Sequence, residues 1–205
     1  MENFKKKLTN FWYYYKWHTL LSIFICFVLI VGITQCSTKV KNDYLIMLGF
    51  NRYVPEEVIH SMCNYIENYG QDVNDDGQVV VEIIDVSTYS NQIPELYRAA
   101  SSKMQAESLR NEVMLYIVDE TFYDKMNNKI VVFDEYEQFN QKNNTAYNLN
   151  DTDFSKYVND SYGKKYITTN TYIIKRVINK KDAKAKQNMH NAEQLLNNLI
   201  QHLNK

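Results

Sequence analysis

The sequence predicts an α/β domain whose largely parallel sheet is covered by helices, set behind an N-terminal transmembrane helix. Two observations predict the domain and one predicts the helix. Three short apolar runs, Asp43–Phe50 (DYLIMLGF), Val79–Ile84 (VVVEII) and Val113–Val118 (VMLYIV), are each followed by a segment of helical periodicity. The runs are nearly continuous in apolar residues, as strands are when helices cover both sheet faces. Ahead of them, Leu20–Ile33 reads LLSIFICFVLIVGI and carries no charged residue.

The apolar stretch, extended from residue 18 to residue 36, rises about 1.5 Å per residue as a helix and so approaches the ~30 Å of a bilayer's hydrocarbon. Residues 1–17 form a basic and aromatic segment before it. Lys5, Lys6, Lys7 and Lys16 precede the span while Lys39 and Lys41 follow it, which directs the first segment to the cytoplasmic side. Phe11-Trp12-Tyr13-Tyr14-Tyr15-Lys16-Trp17-His18 reads as an aromatic belt at the headgroup level. Gly32-Ile33-Thr34-Gln35 is a poor cleavage site, so an uncleaved anchor is expected rather than a removed signal peptide. Gln35, which stands where a lipoprotein would carry a small residue, argues in the same direction for Cys36.

Residues 37–42 form a polar linker, and residues 43–205 form one extracytoplasmic domain, long enough to bury a core. Pro55 opens a helix with Glu56 and Glu57 in its first turn, and Gly70 stops it. Ser87–Asn91 reads as a loop. Ile93, Leu96, Tyr97, Ala100 and Met104 mark a second helix, and Asp119 starts a short third one carrying Phe122 and Met126. Between residues 134 and 165 the pattern fades into Asn, Asp, Tyr and Lys, which reads as a long loop or a loosely helical insertion. Tyr166–Ile174 returns as a strand, either a hairpin partner or an edge. A final amphipathic helix follows Lys180-Lys181-Asp182, with Leu195, Leu196, Leu199 and Leu203 on one face.

Composition excludes some functions. The chain has 205 residues with a net charge of −1, and residues 1–40 hold five of its 23 basic residues and one of its 24 acidic ones. The remainder is therefore net acidic by 5, and its only arginines are Arg52, Arg98, Arg110 and Arg176. Nucleic acid is not an expected partner, because phosphate contacts need clustered cations. The three cysteines do not make a disulfide framework. The five glycines form no phosphate-cradling loop and no nucleophile elbow, and the four histidines show no metal spacing. A Cys63–His60 dyad is disfavoured because Cys63 falls on the apolar side of its helix.

Two groups of residues are candidates for chemistry. Asp72-Val73-Asn74-Asp75-Asp76-Gly77-Gln78 matches the front half of a calcium loop: oxygens from Asp72, Asn74 and Asp76, a Gly for the turn, and the carbonyl of Gln78. The back half fails, since Ile83 stands where a bidentate Glu belongs. The plainer reading is a polar turn between helix and strand, where Asp, Asn and Gly are favoured anyway. Asp85, Ser87 and Asp119 follow predicted parallel strands, where ligands bind in open α/β sheets. Their plainer reading is helix capping and turn formation.

The aromatic opening Phe11–His18, the single span, the Asp72–Gly77 loop and the Val118-Asp119-Glu120 strand end together resemble a group of single-pass membrane-anchored proteins from Firmicutes. That resemblance implies topology and attaches no activity. More loosely, the order of strands and helices is similar to one lobe of extracytoplasmic solute-binding proteins, although those proteins have two lobes and about twice this length, so an interlobe cleft is not expected here. The expectation is a non-enzymatic, membrane-tethered binding or accessory module. It would contact the lipid bilayer and an envelope or membrane protein, with calcium as its sole candidate cofactor. The alternatives are a cell-envelope hydrolase using Asp85 and Asp119, and a scaffold acting through its aromatic juxtamembrane segment.

Overall fold

The computed structural model describes residues 2–37, 41–88, 94–126, 135, 144–160, 166–167, 170–177 and 182–203. Linker residues 38–40, Tyr89, Ile93 and most of the 134–143 and 161–165 stretches lie outside the described residues, as does the side chain of Cys36. The chain divides into two units, residues 1–40 and 41–205.

The first unit is one helix, α1 (Glu2–Ser37). Its stretch Phe11–Gly32 is long and apolar enough to cross a membrane, and none of that stretch is buried against protein. It begins earlier than the expected residue 18 because the aromatic belt is helical and continuous with the aliphatic run. Leu21, Ile23, Phe24, Phe27 and Leu29 are exposed around the whole helix circumference, which is the distribution a lipid solvent favours. Thr19 satisfies its own hydroxyl by donating to the Tyr15 carbonyl at 3.0 Å. In the belt, Phe11 stacks on Tyr15 one turn away, at 5.2 Å between ring centroids.

The second unit is α/β, as predicted. Its elements run β1 (Tyr44–Gly49), α2 (Glu56–Glu67), β2 (Val81–Asp85), α3 (Pro94–Leu109), β3 (Leu115–Asp119), α4 (Glu120–Met126), β4 (Tyr147–Asn148), α5 (Asp153–Asp160), β5 (Thr171–Lys175) and α6 (Ala183–Leu203). They form a five-stranded sheet in the order β2-β1-β3-β5-β4. β1 pairs in parallel with β2 and β3, whereas β5 pairs antiparallel with β3 and β4.

Alternation along each strand feeds two cores. Tyr44, Ile46 and Leu48 of β1, with Leu115 and Ile117 of β3, pack against Val58, Met62 and Ile66 of α2, Phe154 and Val158 of α5, and Leu195, Leu196 and Leu199 of α6. Met47, Tyr116, Val118 and Ile174 point the other way, to Met104 of α3 and Phe122 and Met126 of α4. The sheet thus has helices on both faces. At the end of β1 the packing is close: a Cβ on Gly49 would lie 2.5 Å from the Phe122 ring, so only glycine lets α4 seat there.

Two sequence expectations resolve differently in detail. Tyr166–Ile174 is not one strand. The N–H groups of Tyr166 and Ile167 donate to Asn159 Oδ1 at 2.6 and 2.9 Å, and Asn170 takes a left-handed backbone at φ 65°. Pairing therefore starts only at Thr171, and β5 lies inside the sheet between β3 and β4 rather than at its edge. Within the faded stretch, Thr152 caps α5 by accepting the Ser155 N–H at 3.3 Å.

Candidate functional site

The polar residues at the carboxyl ends of the strands hold the backbone. Ser87 Oγ accepts the Phe50 N–H at 3.0 Å, and Asp85 Oδ1 accepts the Ser87 N–H at 2.8 Å. Asp119 accepts from Asn51 N–H at 2.6 Å with one carboxylate oxygen and from Phe122 N–H at 2.9 Å with the other. The first bond ties the β1–α2 loop to β3, and the second caps α4. Arg52 stands nearby, its guanidinium 4.9 Å from the centroid of the Phe50 ring. Burial lowers its pKa and the Asp119 charge opposes that shift. β1 lies between β2 and β3, so two strand spacings, roughly 10 Å, separate the backbones that carry Asp85 and Asp119. Asp85 lines a groove at the β2 edge, and Asp119 does not.

The Asp72–Gln78 loop closes on its own oxygens. Asp72 accepts from the N–H groups of Asp76 (3.3 Å) and Gly77 (2.7 Å), Asn74 Oδ1 accepts from Asp76 N–H (2.9 Å), and Asp76 Oδ1 accepts from Gln78 N–H (3.1 Å). Asp75 and Gly77 supply the left-handed turns at φ 58° and 86°. Asn74 Nδ2 donates to the Lys41 carbonyl at 2.8 Å, which turns its Oδ1 inward. Among the described residues no three His, Cys, Asp or Glu side chains gather as a metal cluster. The organiser is Asp43, whose carboxylate accepts from Val73, Asn74 and Val80 N–H at 2.8, 3.2 and 2.8 Å. Asp43 is 29 positions before Asp72 in the sequence, and only the strand–loop juxtaposition joins them.

A third feature is absent from the sequence reading. A groove of about 660 Å³ runs along the outer edge of β2, with α2 on one side and α3 on the other. Its floor is Val81–Asp85; Glu56, Ile59, His60 and Cys63 form the α2 wall, and Lys103, Glu107 and Arg110 the α3 wall. No described residue pairs with β2 on that side. Backbone direction follows from the ladder on the other side, where Val80 C=O and Val86 N–H bond β1 through Asp43 N–H and Leu48 C=O at 2.9 Å each. The even-numbered residues thus face β1, and Val81, Ile83 and Asp85 face the groove. Three side chains meet them there. Glu67 accepts the Val81 N–H at 3.1 Å, the Cys63 sulfur accepts the Ile83 N–H, and Lys103 Nζ donates to the Asp85 carbonyl at 2.8 Å. Burial, reinforced by the Glu67 charge, pushes the Cys63 thiol up to about 11, so at neutral pH it is a protonated thiol and a poor nucleophile.

The signal that could have located this groove is the strand order. A β1-α2-β2-α3-β3 run that winds in both directions from β1 leaves β2 at a rim. No family profile, curated protein or solved structure matches the chain.

Proposed function

We propose that this chain is a membrane-tethered binding module: α1 is a single-pass anchor with its basic end in the cytoplasm, and the α/β domain lies outside. The observation that carries the binding reading is the groove along β2. It combines a strand edge that no described residue pairs, apolar surface at Ile59 and Ile83, and charged rims, features that recognise a partner. The nucleophile among its described lining residues, Cys63, is held protonated. The carboxylates of Asp85 and Asp119 each accept backbone N–H bonds at the ends of separate strands, which favours binding over acid–base chemistry. The anchor reading rests on the uncovered apolar helix, whose Leu, Ile, Phe and Val residues each favour lipid by about 0.3–0.6 kcal/mol at the helix centre.

Orientation is tested with a protease added to intact cells that express the full chain. Residues 41–205 should be degraded while a membrane-embedded fragment containing Phe11–Gly32 survives. A domain that stays protected until the membrane is broken would overturn the topology.

A further inference from the structure

We propose that the β2 edge takes an extended, basic segment of a partner protein as an added strand, in a pattern that alternates apolar and cationic side chains. This deepens the binding-module reading and rests on it. The floor of the groove is five residues of β2, about 17 Å of strand, which fits a five- to six-residue segment.

In the structure described, Glu67, Cys63 and Lys103 stand where the backbone of a neighbouring strand would, meeting two N–H groups and one carbonyl of the residues that face the groove. Such side-chain cover protects an edge from indiscriminate pairing, and an incoming strand can exchange for it group by group.

The two faces of the groove differ in chemistry. On the α2 side an added strand meets Ile59, Ile83 and Cys63, all partly buried against the core. On the α3 side it meets the exposed Glu82 and the partly buried Glu107. Four carboxylates (Glu56, Glu82, Asp85, Glu107) face two cations, Lys103 and Arg110, in the lining. Arg110 is already bonded to Glu107 and Glu112 at 2.9 and 2.7 Å. The residual charge is negative, so the segment it complements is positive. A second copy of this chain is the poorer occupant, because edge-to-edge pairing of two β2 strands would set the Glu82 and Asp85 side chains of both copies along one seam, where like charges destabilise.

The probe is a fluorescent decapeptide of alternating Lys and Val with blocked ends. It is titrated against the full chain in nonionic detergent and read by anisotropy, with backbone hydrogen exchange as a second readout. Binding should saturate, and the amides of Val81, Ile83 and Asp85 should gain protection. A Glu–Val counterpart and a proline-interrupted Lys–Val peptide should each bind at least about tenfold more weakly. E82K, at an exposed site, should weaken binding about tenfold. Lys103→Ala, which uncovers the Asp85 carbonyl and removes a cation, should strengthen it.

The proposal is overturned if the proline-interrupted peptide binds equally, if E82K and Lys103→Ala leave binding unchanged, or if the chain instead dimerises through β2. Any of these with the domain still open to external protease leaves the tethered-module topology standing. A protected domain defeats that topology whatever the peptide does.

Discussion

Three carboxylates, Asp43, Asp85 and Asp119, do similar work: they hold three, one and two backbone N–H groups respectively where a strand meets a loop. Asp43 has the most to lose, since three N–H groups depend on it. Asp43→Ala should lower stability by about 1–3 kcal/mol in urea unfolding, and a change below 0.5 kcal/mol (roughly the scatter of neutral surface substitutions) would deny it the organising role. The same variant series addresses calcium. A native-state ligand must raise the melting temperature, so a rise with millimolar calcium that disappears in Asp76→Asn assigns the Asp72, Asn74 and Asp76 oxygens as ligands. An unchanged melt leaves the loop as a hydrogen-bonded turn. At this scale the sequence was legible where chemistry is local. The Asp-x-Asn-x-Asp-Gly spacing named a loop whose oxygens do turn inward. The partnership of Asp43 with that loop depends on β1 lying beside Val80, and no local pattern encodes it.

Between elements, the end of α3 and the start of α6 are joined by charge. Glu112 accepts from Arg110 Nη2 at 2.7 Å and from Lys184 Nζ at 2.7 Å. The Lys184 and Arg110 hydrogen bonds hold the Glu112 carboxyl below its ordinary range. A carboxyl depressed in the folded state contributes stability that is fully present above its unfolded pKa, about 4.3, and lost as pH falls through the folded value. Glu112→Gln should therefore reduce the acid-side fall of the melting temperature and leave the neutral-pH value lower, by an amount worth no more than about 1 kcal/mol because the pair is solvent-screened. A melting curve with the same acid slope in variant and parent would remove the clamp from the account. Element identity was readable wherever apolar periodicity was clean, as in β1, α2, β3 and α6. It failed for α5, whose buried Phe154 and Val158 are two apolar positions one turn apart in a run of Asn, Asp, Tyr and Lys. Its start was signalled only by the Thr152 cap. The β2 edge was not legible in the strand's own residues, because a strand's position in its sheet follows from crossover order.

At the level of the molecule, the two units differ in where their apolar side chains lie. Among the described residues, every buried core side chain, from Tyr44 to Leu203, belongs to the second unit, and the apolar stretch of α1 contributes none. A helix that carries Leu, Ile, Phe and Val on all sides and buries none of them in protein loses the hydrophobic contribution of that surface in water. The domain, with helices on both sheet faces and two filled cores, has no such deficit. The two should therefore be separable. The full chain should sediment with membranes and resist alkaline extraction, whereas a 41–205 fragment should stay in solution and unfold in one cooperative urea transition. Its midpoint should match that of the domain in the detergent-held full chain, because the buried core side chains among the described residues all lie within residues 41–205. A fragment that aggregates, or a midpoint lowered by more than the change expected from loss of a few surface contacts, would mean that residues 2–37 help to cover the domain. In that case their apolar surface would be answering to protein rather than to lipid.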